Sequence, residues 1–285
     1  MNDFVLTAAE LRARGGGKWR RYPPDVLPAF IADMDFKVAP AVQAALRRFT
    51  DHQDYTYGLR DDHVILHNAF ASWMARRHGW SPDPALTIDL DDVVQGIVAT
   101  LVAYSDAGDG VVVQTPIYPP FLRVIASTGR RVVENSLVRS RANARFSIDF
   151  DGLQEAAKDA RILLLCNPHN PTGRVLERDE LARIAEIAAD HDLTIVADEI
   201  HADVAYPGSK HVPMETIPGA ADRTVTVTSA TKGFNIPGAR TAVVHFGSEA
   251  LKSRFDAALP EHLLAGRAAS ASPRRSRLGQ TERHG

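Results

Sequence analysis

Three short blocks hold residue types that could act together on one ligand: Asn170 in CNPHNPTG (166–173), Asp198 in DEIHADVAY (198–206) and Lys232 in SATKGFNIPG (229–238). A lysine among small residues loses its proton more readily when desolvated, and the neutral amine forms a Schiff base with an aldehyde. Pyridoxal 5′-phosphate is the natural aldehyde. Its ring nitrogen needs an anion to stay protonated and act as an electron sink, a task that suits Asp198, while Asn170 could donate to the phenolic oxygen. The phosphate needs backbone N–H groups at a helix start, and residues 95–100 (QGIVAT) open a helix after the run 91–94. Tyr118 in QTPIYPPF offers an aromatic surface for the ring. Any one of these loops is ordinary turn chemistry; three together carry far more weight.

For such groups to meet, elements must deliver them to one place. Runs 111–114, 131–133, 161–165, 194–197, 224–228 and 241–246 are short, apolar and β-branched, and read as buried strands. Between them, residues 178–190 place Leu181, Ile184, Ala185 and Ala188 on one helical face. The alternation predicts an α/β fold with a mostly parallel sheet, in which ligands bind beyond the carboxyl ends of the strands. All three chemical blocks fall at such ends. The first 40 residues differ, with GGG at 15–17 and Pro23, Pro24, Pro28 and Pro40 marking an irregular segment.

At 285 residues the chain has room for one large domain or two modest ones. Its 33 Lys and Arg against 35 Asp and Glu give a net charge of −2, too balanced for a protein whose main partner is nucleic acid or an anionic membrane. A small molecule is the expected partner. Cys166 is the single cysteine, which excludes an internal disulfide or a cysteine-rich metal site and fits a reducing cytoplasm. No apolar core of signal-peptide length opens the sequence, and no uncharged apolar run reaches the roughly 18 residues of a membrane helix. The basic cluster KWRRY (18–22) reads as a solvated or packing element, not a nucleic-acid patch. His63 and His67 have metal-ligand spacing beside Asp61 and Asp62, but no HExxH pattern accompanies them, and acids in a first helical turn have their own explanation.

The blocks KWRRYPPDVLPAFIADMDF (18–36), YTYG (55–58), VVQGIVATL (93–101), VVVQTPIYPPF (111–121), LLLCNPHNPTGRV (163–175), VADEIHADV (196–204) and TSATKGFNIPGAR (228–240) occur in this order. In them the sequence resembles the fold type I pyridoxal-phosphate enzymes, and specifically the cystathionine β-lyase-like, MalY/PatB-type C–S lyases of the class I/II aminotransferase superfamily. The resemblance implies a three-layer α/β/α large domain (residues 46–264) with a mostly parallel seven-stranded sheet, and a small domain begun by residues 1–45. It gives Lys232 the Schiff-base role and Asp198 the ring nitrogen. Asn170 and His201 flank the phenolic oxygen, and Tyr118 stacks on the ring. Ser229, Arg240 and the backbone of Val98, Ala99 and Thr100 hold the phosphate, and Tyr57 reaches the phosphate of a neighbouring subunit, which implies a homodimer.

The implied reaction on an amino-acid substrate is release of a thiol, pyruvate and ammonia from cystathionine or another cysteine S-conjugate. Transamination shares the same core chemistry, so a class I/II aminotransferase is the alternative. A non-catalytic regulatory domain is a further one, although no helix-turn-helix is readable in the first 40 residues. The resemblance ends near Leu264, and the basic stretch AGRAASASPRRSRLGQTERHG (265–285) has too few apolar residues to offset its ordering entropy and is expected to be disordered. Family members continue there into most of the small domain and an arginine that clamps the substrate carboxylate. The expectation is therefore a truncated or frameshifted chain with an incomplete small domain and an uncovered apolar surface, favouring low solubility or impaired dimerisation.

Overall fold

The computed structural model describes residues 4–53, 60–140 and 145–259, with side chains in the second span from Val64 onward. Helices α1 (Ala8–Ala13), α2 (Gly17–Arg20), α3 (Pro40–Asp51) and α4 (Arg60–His78) come first. Then follow β1 (Thr87–Leu90), α5 (Val93–Tyr104), β2 (Gly110–Thr115), α6 (Pro119–Ser127), β3 (Arg131–Ser136) and a small hairpin of β4 (Val138–Arg139) and β5 (Phe146–Ser147). The remainder is α7 (Phe150–Ala157), β6 (Ile162–Cys166), α8 (Arg178–Asp190), β7 (Thr194–Asp198), β8 (Thr224–Thr228), α9 (Ala230–Gly233), β9 (Ala242–Phe246) and α10 (Glu249–Ala258).

Seven strands form one sheet in the order β1-β9-β8-β7-β6-β2-β3. Every neighbouring pair from β8 to β3 is parallel, and β9 runs antiparallel between β8 and β1. The mostly parallel α/β sheet anticipated from the apolar runs is therefore present. Strand β1 was not among those runs, because its four residues, TIDL, carry an acid that interrupts the apolar pattern.

Strand alternation divides the core in two. Val111 and Val113 pack on one face with α5, α6 and α10, while Val112 points to the other, with α7 and α8. Likewise Ile162, Leu164 and Cys166 go one way and Leu163 and Leu165 the other, which is why β6 is buried throughout. Gly96 lets α5 lie close to this sheet: a Cβ there would meet Val227 Cγ1 at 2.8 Å.

Helix α5 begins at Val93, two residues before the start read from the sequence. Its cap is Asp92, whose side chain accepts from the Gln95 amide at 2.8 Å. The β-branched pair Val93–Val94 imitates strand composition, and the cap overrides that local preference. In the leading region, α3 buries none of its residues, and Leu27 (80% exposed), Phe30 and Ile31 remain exposed. Among the described residues, no helix is long and apolar enough to cross a membrane.

Candidate active site

Strands β6, β7 and β8 are adjacent and parallel and end at Cys166, Asp198 and Thr228. The loops that follow open onto one cavity of about 920 Å³, lined by Asn170, Asp198, His201, Ser229, Lys232 and Arg240, with Tyr118 joining from the end of the loop after β2. Seven of the residues singled out in the sequence are thus brought together.

Asp198 ends β7, opposite Cys166 on one side and Val227 on the other. Its buried carboxylate accepts from the Ile200 amide at 3.0 Å. Burial pushes its pKa up to about 7; the Ile200 amide works against the rise, the Glu199 charge adds to it, and Lys232 opposes it. Glu199 is held away by His211, at 3.0 Å, and by the Met214 amide.

Lys232 lies in the single turn of α9, capped by Ser229, which accepts from the Thr231 amide at 3.0 Å and donates to the Thr241 carbonyl at 2.5 Å. The lysine side chain is half-buried, and its Nζ donates to the Ala32 carbonyl at 3.0 Å, so the small neighbours in the sequence do not by themselves seal it from water. His201 places Nδ1 3.4 Å from the Pro168 carbonyl. Burial holds its pKa below the ordinary imidazole value, the Pro168 carbonyl opposes this, and the Lys232 charge adds to it. Tyr118 directly precedes α6 and meets Phe121 edge-on, ring centroids 5.7 Å apart. Cys166 lies in the cavity floor with its thiol pKa raised by burial, which makes it an apolar filler.

Arg240 adopts a left-handed backbone (φ 49°) and forms an ion pair with Asp92, the cap of α5. That brings a guanidinium to the amino end of α5, whose first turn faces the cavity through Val93 and Val94. Val98, Ala99 and Thr100 stand beyond the first turn of α5, where their N–H groups bond within the helix, Thr100 Oγ1 donates to the Ile97 carbonyl, and none of the three lines the cavity. In the first turn, the Gln95 and Gly96 amides already donate to Asp92, at 2.8 and 3.1 Å. Tyr57 lies outside the described residues, as does the stretch 265–285.

Several cavity residues escaped the sequence reading. The wall formed by Ala29, Phe30, Ile31 and Ala32 comes from the irregular leading segment, which carries no periodic signal. Asp92 was detectable: an acid three residues before Gln95 is a helix-start signature, and Gln95 Oε1 answers by accepting from the Asp91 amide at 3.0 Å. No group of three or more His, Cys, Asp or Glu placed to hold a metal occurs among the described residues, and His67 pairs with Asp89 at 3.2 Å. Lys18 of the basic cluster is buried against Asp35 at 2.8 Å, a packing role.

A mostly parallel seven-stranded sheet between helical layers, with a lysine and a buried aspartate at its carboxyl edge, is the architecture of the pyridoxal-phosphate-dependent transferase-like folds. The profile of the family "Aminotransferase class I and II" matches residues 31–271, and the chain belongs to that family. It is 34% identical over 245 residues to cystathionine beta-lyase PatB of Bacillus subtilis, covering 85% of this chain and 62% of that protein. To the cystathionine beta-lyase of Corynebacterium glutamicum it is 32% identical over 242 residues, covering 85% and 63%. The crystal structure of cystalysin from Treponema denticola, which contains a pyridoxal 5′-phosphate cofactor, superposes with a TM-score of 0.81 at 30% identity, covering 90% of this chain and 67% of that one. The chain thus spans about three-fifths of the length of these curated relatives.

Proposed function

We propose that this chain binds pyridoxal 5′-phosphate at Lys232 and serves cleavage of the Cβ–S bond of cystathionine or another cysteine S-conjugate. The observation that carries the reading is the meeting of Lys232 with the buried Asp198 in one cavity at the sheet's carboxyl edge. The residues fit the cofactor. Asp198 is a buried acid held above its ordinary range, and a protonated ring nitrogen beside it would restore its ionised form. Asn170 and His201 would flank the phenolic oxygen, Tyr118 would cover the ring, and Ser229, Arg240 and backbone of α5 at Val98, Ala99 and Thr100 would hold the phosphate.

When bound, the cofactor supplies an electron sink for negative charge at the substrate's Cα. Lys232 Nζ would hold the group and, once free of it, would take the substrate's Cα proton as general base. The Cα–H electrons would form a Cα–Cβ double bond as the Cβ–S pair leaves with sulfur, which would gain a proton as the thiol, and water would convert the resulting enamine to pyruvate and ammonia. The role given to Tyr57, reaching a neighbouring subunit, would make the full-length family's working unit a homodimer, an assembly that an incomplete small domain would impair. A single buried cysteine suits a reducing cytoplasmic setting.

The test is incubation of the purified, cofactor-loaded chain with cystathionine. Thiol and pyruvate in equal amounts support the lyase; exchange of amino and keto acids without thiol assigns an aminotransferase. Bound cofactor with neither product would assign a non-catalytic binding domain.

A further inference from the structure

The leading segment reaches the cavity from the far end of the sequence, and the side chain of Asn235 ties it there. Asn235 Oδ1 accepts from the Met34 amide at 3.0 Å, and Nδ2 donates to the carbonyls of Met34 at 3.1 Å and Phe36 at 3.0 Å. These are backbone groups that a neighbouring strand would satisfy, and one side chain substitutes for that strand. Asn235 itself has φ 56°, a left-handed conformation that asparagine tolerates better than most residues. Three residues earlier, Lys232 Nζ donates to Ala32. On its far side the segment is held by Lys18, which donates to the Asp33 carbonyl and to Asp35, and by Trp19 Nε1, which donates to Asp35. Residues 32–36 are therefore strung between α2 and the loop after α9, and they continue directly from the stretch Ala29, Phe30, Ile31 and Ala32 that walls the cavity.

We infer that Asn235 is a positioning residue: by clamping Met34 and Phe36 it seats residues 29–32 as the cavity wall and sets the Ala32 carbonyl against Lys232. This rests on the reading of Lys232 as the cofactor lysine. Without the clamp, the wall loosens, water gains access to the lysine, and the cofactor is retained less well.

Two variants isolate the side chain from the backbone. Asn235→Gly keeps the left-handed conformation and deletes the amide, whereas Asn235→Asp keeps the acceptor for Met34 and removes the donor. Hydrogen–deuterium exchange of the peptide spanning residues 30–36, in the full chain without cofactor, should quicken by about tenfold in Asn235→Gly, the scale of losing one or two hydrogen bonds. Exchange in β6, β7 and β8 should stay unchanged. The dissociation constant for pyridoxal 5′-phosphate should rise by about the same factor in the glycine variant and by at least as much in the aspartate variant, whose carboxylate would face the Met34 and Phe36 carbonyls. Unchanged exchange at 30–36 would overturn the clamp. Faster exchange with unchanged cofactor affinity would overturn its positioning role. A wild-type chain that takes up no cofactor would instead overturn the reading of Lys232, and the exchange result would still decide the clamp.

Discussion

Every residue of β6 and β8 is buried, whereas the amphipathic helix α3 buries none of its own. The sheet satisfies its apolar residues from both sides, with α5, α6 and α10 on one face and α7 and α8 on the other. In the leading region, Leu27, Ile31 and Leu46 remain exposed, and its order comes from polar ties such as Lys18–Asp35 and Asn235–Met34. The difference separates two kinds of stability. One half is held by burial, which is non-directional and large; the other is pinned by a few hydrogen bonds that fix position while contributing little energy.

Matched truncations would break that contrast if it is wrong. Leu181→Ala, at a wholly buried position of α8, should cost about 2–5 kcal/mol in urea unfolding, while Leu27→Ala, at an 80% exposed one, should stay within about 0.5 kcal/mol. Similar costs at both sites would erase the distinction.

A pH-dependent effect comes next in size. The folded-state pKa of Asp198, about 7, lies above its ordinary value of 3.8, so the stabilisation from its protonated form is complete below 3.8 and is lost as pH rises through 7. In the cofactor-free chain, Asp198→Asn should therefore raise the melting temperature more at pH 8 than at pH 5, while weakening cofactor binding. An equal gain at both pH values would remove burial of charge as the cause.

The smallest effect concerns association. Replacing Leu27 and Leu46 together by serine should leave the melting temperature nearly unchanged yet reduce concentration-dependent association in light scattering, because the exposed apolar faces of the leading region drive it. Association unaltered by the pair would place its cause elsewhere.

The sheet was largely legible because β-branched runs of four to six residues are a local signal, and β6, β7 and β8 all fell where those runs predicted. Asp198 and Lys232 were legible for the same reason, since one ends and the other closely follows a strand that announces itself. The start of α5 was read two residues late because Val93–Val94 look like strand and only the Asp92 cap decides otherwise. The cavity wall at 29–32 was illegible, as its placement depends on a contact 201 residues away in sequence, which no window of local periodicity can contain.

Lys232 is proposed as the residue to which pyridoxal 5′-phosphate attaches. Loading the purified chain with the cofactor, reducing it with borohydride and mapping the label by peptide mass spectrometry tests this directly. One pyridoxyl group is expected, on the peptide containing Lys232, and none in Lys232→Ala. A label on another lysine, or no label after saturation with cofactor, would contradict it.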